Sequence, residues 1–290
     1  MTFVPNALNG EAIDISLEKS EKLYNIARLN EIIKKSPERI PSFCPYNSLC
    51  GGCTFSHLSY ANSLKYKKEI ISDLLKQNNL SFSSLEIIPS SPVLGYRNKV
   101  SLKVEEGEFG YYEEQSHRFI PIKNCYLLSP SIESLLKDFS MFHFQNGELI
   151  IQMNSKGDML LNIKTQDKIS ILEEQKGNIR YRYSFHSFFQ VNAYFSEKIK
   201  EDVMNCVNYK DKVYDLYCGV GFFSLLLTLK VKIVIGIEEN KEAILMALEN
   251  VQLNYIENED VNINKLENIL REKYHLKITD TRHLNLKNID

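Results

Sequence analysis

Between Lys212 and Glu238 the chain passes through five features in a fixed order, and together they leave few folds open. Lys212–Tyr217 reads as a buried strand, Gly219-Val220-Gly221 as a tight turn, and Phe222–Leu229 as an apolar helix. Ile233–Ile237 is a second buried strand, and Glu238 is an acid at its end. Strands buried on both faces and alternating with helices build a parallel, doubly wound α/β sheet. Helical periodicity over Ala193–Val207 and Lys241–Asn254 continues the alternation on both sides. A short glycine turn lets the ribose and amino acid of a ligand lie against the backbone. Glu238, an acid at the next strand end, can accept hydrogen bonds from both ribose hydroxyls. The longer G-x-G-x-x-G that cradles a pyrophosphate is missing, because Phe222 and Phe223 follow Gly221. A ligand without phosphates fits better, and S-adenosylmethionine is one. The plainer alternative is a turn of the same kind that holds nothing.

A second constellation lies far upstream. Cys44, Cys50 and Cys53 fall within ten residues, with Gly51-Gly52 between the last two, and Cys125 follows later. Disulfides are rare in a reducing cytosol, so clustered thiols there point to a metal or to reactive chemistry. Three thiols on a glycine-bearing loop can converge on one soft centre, with backbone amides aimed at the sulfurs. An iron–sulfur cluster and a zinc ion both satisfy that spacing, and unligated buried thiols are the plain alternative. Zinc sites usually show two paired C-x2–4-C arms, and only one arm is paired here.

The remaining segments are mostly β-rich. Residues 1–40 carry short strand-like runs, Thr2–Pro5, Ile13–Leu17 and Lys22–Leu29, with a turn at Asn9-Gly10. A helix is expected over Ala61–Gln77, with Tyr60, Leu64, Ile71 and Leu75 on one face. Strands are expected over Val100–Val104, Phe109–Tyr112, Leu149–Asn154, Met159–Lys164 and Ile179–Phe185, with a helix near Ser131–Phe142. After Asn254 one helix (Lys265–Lys273) and one strand (Leu276–Thr279) are expected. Ser187-Phe-Phe-Gln190-Val-Asn192 places an amide just before the α/β unit, where it can fix the polar end of a ligand or simply close an aromatic core turn. Tyr96-Arg97-Asn98-Lys99, with Lys103, Arg118 and Lys123, interleaves cations with aromatics, as a phosphate-gripping face or a merely solvated one does.

Composition narrows the function classes. Hydrophobic residues make up 43% and charged residues 25%, the profile of a globular chain, and no run approaches a membrane helix. Met1–Gly10 shows no signal-peptide pattern, so a cytoplasmic location is expected. With a formal net charge of −2 the molecule has no global attraction for nucleic acid, and RNA binding would rest on local patches.

Taken together, these segments resemble the RNA uracil-5-methyltransferase family, especially its bacterial 23S ribosomal RNA branch. The resemblance is carried by Ser36-Pro-Glu-Arg39, Cys44…Cys50-Gly-Gly-Cys53, Gly95-Tyr-Arg97-Asn-Lys99 and Gly110-Tyr…Ser116-His-Arg118 leading to Cys125. It continues through Ser187-Phe-Phe-Gln190-Val-Asn192, Asp215-Leu-Tyr-Cys-Gly-Val-Gly221 and Gly236-Ile-Glu238, in family order from about residue 2 to 255. The resemblance implies a [4Fe–4S] cluster on Cys44, Cys50, Cys53 and Cys125, and S-adenosylmethionine contacts from Gln190, Tyr217 and Glu238. Asp215, Gly219 and Gly221 complete that cofactor site. It implies a partial TRAM-like β-barrel over 1–40, a β-rich iron–sulfur and RNA-facing domain over 41–190, and an incomplete Rossmann-like methyltransferase domain over 191–290. In such enzymes a cysteine thiolate adds at uracil C6, the activated C5 takes the methyl from the sulfonium, and a carboxylate removes the C5 proton. The target base is first exposed from its RNA.

The departures from the family are as informative. Its nucleophile lies in a Ser-Cys-Asn-Pro-like segment after the ribose-binding acid, preceded by an Asp-Pro-Pro-Arg-like motif. Here Cys218 is the last cysteine and Pro130 the last proline, so no catalytic residue is assigned. Position 222, usually small or polar, is Phe. The chain therefore reads as shortened at both ends, inactive alone or completed by a separately encoded C-terminal fragment. Lys212–Tyr217 is then expected to be an exposed apolar sheet edge. A non-catalytic RNA-binding iron–sulfur protein is the alternative from another class, and a zinc-stabilised module with no RNA role is a third.

Overall fold

The computed structural model describes residues 1–47, 49–113, 116–139, 145–162, 171–185, 187–255 and 276–279. It is a mixed α/β structure with several sheets, divided into two compact units. One comprises residues 1–93, 102–126 and 138–147; the other comprises 94–101, 127–137 and 148–290.

The first unit opens with strands β1 (Thr2–Phe3), β2 (Ala12–Ser20) and β3 (Asn25–Lys34), in the sheet order β1-β3-β2. β2 and β3 are antiparallel, with their register slipping at three places along the pair. Of these strands only Ala27 is buried, and Leu17 and Ile33 stay exposed. Beside them an ion pair is buried. The Arg39 guanidinium donates to both carboxylate oxygens of Glu11, at 2.5 and 2.8 Å, and the Glu11 side chain is fully buried. Helix α1 (Tyr60–Gln77) starts where the Ser59 hydroxyl accepts the Asn62 N–H at 3.2 Å. Tyr60, Leu64 and Leu75 of its expected apolar face are half-buried, but Ile71 is exposed and only Ser63 is buried.

Strand β4 (Lys99–Glu105) passes from one unit into the other, and its last residues pair with β5 (Glu108–Tyr112), which pairs with β6 (Phe119–Pro121). Glu106 and Gly107 both take positive φ, 50° and 83°, as a two-residue hairpin turn requires. Gly110 must be glycine: a Cβ there would stand 2.2 Å from the Ile120 carbonyl oxygen. The sequence did not foretell β6.

The second unit holds most of helix α2 (Pro130–Phe139), the hairpin β7 (Gly147–Met153)–β8 (Met159–Asn162), and the ladder β9 (Ile171–Lys176)–β10 (Ile179–Ser184). Next come α3 (Ala193–Asn205), β11 (Lys212–Leu216), α4 (Phe222–Leu227), β12 (Ile233–Ile237), α5 (Lys241–Tyr255) and β13 (Leu276–Thr279). These last strands form a parallel sheet in the order β11-β12-β13. Among the described residues β11 pairs only with β12, and Leu216 at its end is exposed. The core packs Tyr181, Tyr183, Phe189, Phe222 and Leu225 with Met246 and Val251 of α5. Phe222 is part of it: its ring lies 5.2 Å from Tyr181 and 5.6 Å from Phe189. β9 was not foreseen, and the expected helix Lys265–Lys273 lies outside the described residues, as do the ends of the elements expected at 131–142 and 159–164. Among the described residues no helix is long and apolar enough to cross a membrane.

Candidate functional site

The turn after β11 is built around backbone that only some residues tolerate. Tyr217, Gly219 and Gly221 all have positive φ, 61°, 57° and 83°. Glycine adopts that region freely, so the chain can reverse between β11 and α4, where the Cys218 N–H donates to the Ile237 carbonyl at 3.0 Å and the Gly221 N–H to the Cys218 carbonyl at 2.9 Å. The Glu238 side chain, at the end of β12, fixes the turn from the neighbouring strand. Its Oε2 accepts the Gly219 N–H at 2.9 Å, and its Oε1 accepts the Glu239 and Asn240 N–H groups, each at 2.9 Å. A carboxylate has about four lone-pair sites, so one held by three amides keeps capacity for a hydroxyl donor. Tyr217 is 77% exposed, which leaves its ring free to cover whatever lies on the turn.

Asp215 stands one step before the turn and accepts the Ser224 hydroxyl of α4 at 2.6 Å. Burial raises its carboxyl above the usual range, and the Glu238 charge adds to that. Cys218 is 7% exposed, and burial, then the Asp215 and Glu238 carboxylates, push its thiol up to about 12. A nucleophilic cysteine needs the reverse, a stabilised thiolate in reach of substrate.

Gln190 reaches the same neighbourhood through its segment. The Phe188 carbonyl oxygen lies 3.8 Å from where a Cβ on Gly219 would sit, so Ser187–Gln190 runs beside the turn. Phe189 anchors it by stacking on Tyr183 at 4.2 Å, and Gln190 follows half-buried. The structure thus brings Asp215, Tyr217, Gly219, Gly221 and Glu238 around one turn, with Gln190 in the adjoining segment.

Two supports escaped the sequence reading. Asn250 of α5 is fully buried; its amide donates to the Arg182 and Val220 carbonyls at 2.9 and 3.0 Å and accepts the Arg182 N–H at 2.6 Å. That tethers the middle of the glycine turn to β10. Tyr181 donates its hydroxyl to the Phe222 carbonyl at 3.1 Å, holding the first residue of α4. An asparagine in register with Ala243, Met246 and Ala247 on the apolar stripe of α5 was the available signal for the first of these.

The thiol loop lies in the other unit. Cys44, Cys50, Cys53 and Cys125 are all half-buried and none is in a disulfide. Two contacts bring Cys125 to the loop: the Lys123 N–H donates to the Tyr46 hydroxyl at 2.9 Å, and the Phe43 and Tyr126 rings meet edge to face at 5.9 Å. Each flanking aromatic is a chain neighbour of a cysteine, Cys44 on one side and Cys125 on the other. Gly52 packs closely on the loop, since a Cβ there would come within 3.3 Å of Cys50 Sγ. The donor set therefore suits soft-metal chemistry. Among the described residues no three His, Cys, Asp or Glu side chains are drawn together as a single metal ion would hold them.

The basic set is not one exposed face. Lys99 is half-buried, donates its ammonium to the Phe185 carbonyl at 2.7 Å, and has its pKa lowered by burial. Arg118 pairs with Glu113 at 2.6 Å, and the Lys103 ammonium lies 5.7 Å from the centre of the Tyr112 ring. The expectation of free strand cations fails for Lys99, because its half-buried ammonium is taken up by a backbone carbonyl.

A parallel strand–glycine turn–helix–strand–acid unit with a buried acid beside the turn defines an α/β nucleotide-type fold of the methyltransferase kind. The family model described as tRNA (Uracil-5-)-methyltransferase matches residues 142–290, just over half of the sequence. The chain belongs to that family. An uncharacterized RNA methyltransferase of Clostridium tetani is 26% identical, over 93% of this chain and 73% of its own length. The 23S rRNA (uracil(1939)-C(5))-methyltransferase RlmD of Vibrio parahaemolyticus is also 26% identical, over 88% of this chain and 69% of its own length. In fold, the chain matches the crystal structure of Pyrococcus abyssi tRNA (uracil-54, C5)-methyltransferase in complex with S-adenosyl-L-homocysteine. The TM-score is 0.69 at 18% identity, covering 99% of this chain and 76% of that one.

Proposed function

We propose that this chain binds S-adenosylmethionine through Gln190, Asp215, Tyr217, Gly219, Gly221 and Glu238, and serves C5-methylation of uracil in RNA, of the 23S ribosomal type. One observation carries the reading. The Glu238 carboxylate is joined to the Gly219 amide at 2.9 Å, so ribose acceptor and ligand-lying backbone form one rigid edge. Family membership supplies the reaction class, and the relatives' names supply RNA and uracil. In this reading residues 1–40 are the TRAM-like part, 41–190 the iron–sulfur and RNA-facing part, and 191–290 the methyltransferase domain. The protein works in the cytoplasm.

Cys44, Cys50, Cys53 and Cys125 would hold a [4Fe–4S] cluster, which shapes the loop and positions RNA; zinc is the alternative occupant. The support is four thiols, one pair of them linked by glycines, with Cys125 delivered by Tyr46 and Tyr126. No residue of this chain is assigned as nucleophile or base. Four cysteines belong to the loop, Cys206 caps α3 at the surface, and Cys218 is buried and held protonated.

Calorimetric titration with S-adenosylmethionine, on anaerobically purified chain assayed for iron and sulfide, tests the proposal. Saturable binding with about four irons per chain is expected. Iron without binding leaves a non-catalytic RNA-binding iron–sulfur protein, and zinc without iron removes the cluster.

A further inference from the structure

A cavity of about 330 Å³ opens in the first unit, lined by Phe3, Asn6, Cys50, Gly51, Cys53 and Thr54 among others. Cys44 and Cys125 do not line it, so it is not the hollow that the four thiols would surround. Its walls come from the first strand and the residues after it on one hand and from Leu49–Thr54 on the other. Its volume is at the lower end of the range for small-ligand pockets.

Three features of the walls point to one class of occupant. Phe3 is 52% exposed, yet its ring is held in place by the edge of Tyr24 at 5.7 Å and 73°. A pinned, half-bare ring is a stacking platform. Asn6, with φ 65°, contributes an amide side chain that can meet the polar edge of a base. Its backbone is clamped, since its carbonyl accepts the Arg39 guanidinium at 2.6 Å while Arg39 grips the buried Glu11. Glu11 also accepts the Leu8 N–H at 2.9 Å. The wall is thus fixed before anything enters, and binding spends little on ordering it.

We propose that this cavity is a nucleobase subsite: it takes one unpaired base of the RNA, stacked on Phe3, with its polar edge toward Asn6 and the Gly51–Thr54 backbone. The proposal rests on the reading of this chain as an RNA-binding member of its family. It adds an RNA contact remote in sequence from the methyl-donor residues. Stacking on an aromatic platform tolerates any base, so the subsite contributes affinity and register rather than sequence choice.

The test uses full-length chain purified anaerobically and a fluorescein-labelled single-stranded oligouridine carrying 5-iodouridine. Anisotropy gives the affinity, and irradiation maps the contact. Phe3→Ala is expected to weaken binding roughly 5- to 150-fold, and Phe3→Tyr to restore it. Iron, sulfide and far-ultraviolet circular dichroism should match wild type in both variants. In wild type the cross-link should fall within residues 1–6 or 49–54. Unchanged affinity in Phe3→Ala, or a cross-link wholly outside those segments, overturns the subsite while leaving RNA binding in place. A wild-type chain with no affinity for the RNA overturns the subsite and the RNA reading together.

Discussion

Replacing Asn250 with alanine tests whether the glycine turn is held from behind. The side chain is fully buried and makes three hydrogen bonds, at 2.6, 2.9 and 3.0 Å, to the Arg182 N–H, the Arg182 carbonyl and the Val220 carbonyl. Alanine leaves those groups without that partner in a core lined by Val220, Ala247 and Val251. An orphaned buried backbone group costs about 1–3 kcal/mol. A carbonyl can find partial relief through a bound water, so the sum is nearer 3–5 kcal/mol than the full total. Urea unfolding monitored by circular dichroism reads the stability. The proposed donor site adds a second readout, because Val220 lies between Gly219 and Gly221. Loosening it should weaken S-adenosylmethionine at least about tenfold, or 1.4 kcal/mol, under conditions where the variant is still folded. A loss of stability below about 1 kcal/mol would refute the tether. A large loss with undiminished ligand affinity would show that the turn holds its shape without Asn250.

Three further outcomes follow from the geometry. The Arg39 guanidinium beside Glu11 lowers that carboxyl from 4.5 to about 2, so its contribution is complete above about 4.5 and lost as pH falls toward 2. That difference amounts to at most roughly 3 kcal/mol; urea midpoints at pH 7 and pH 3 should converge in Glu11→Gln, and a wild type with flat acid stability would contradict it. Gly110→Ala should cost at least about 2 kcal/mol by urea titration, because the new Cβ meets the Ile120 carbonyl at 2.2 Å and the Phe119 ring at 2.7 Å. Iodoacetamide at pH 8 should label exposed Cys206 and spare Cys218, whose thiol is buried and pushed up to about 12. Mass spectrometry showing rapid Cys218 alkylation in the folded chain would remove that assignment.

What could be read from sequence was whatever repeats locally. The run from Lys212 to Glu238 announced itself because its strands are buried on both faces and punctuated by glycine. β10 was legible because Ile179, Tyr181 and Tyr183 point inward at every second residue. Its partner β9 was not, because Glu174 occupies an inward position at 3% exposure, where it takes the Ser155 N–H at 2.8 Å and Lys176 at 3.4 Å. A buried acid with partners erases the alternation a strand is recognised by. α1 shows the opposite error: Ile71 fits the helical stripe, but it stays exposed. Of the candidate site residues, those on the glycine turn were legible from the motif. The delivery of Cys125 to the thiol loop depends on Tyr46 and Tyr126, contacts between distant segments that no local pattern encodes.

The electrostatics of the turn separate binding from attack. A thiolate nucleophile needs positive surroundings, whereas Cys218 is buried with Asp215 and Glu238 acting on it. The same two carboxylates favour any cation placed near them, and a sulfonium is a cation. One arrangement thus silences the cysteine and suits the proposed donor, and the two effects should move in opposite directions when a charge is removed. Asp215→Asn keeps an oxygen to accept the Ser224 hydroxyl, now at 2.6 Å, and removes one negative charge. It should weaken S-adenosylmethionine several-fold relative to uncharged-sulfur S-adenosylhomocysteine, on the order of 1 kcal/mol for one partly screened charge. It should also bring Cys218 alkylation forward to lower pH. If both ligands weaken equally, Asp215 shapes the turn and does not favour the sulfonium. If Cys218 stays as unreactive as before, the Asp215 charge does not act on its thiol.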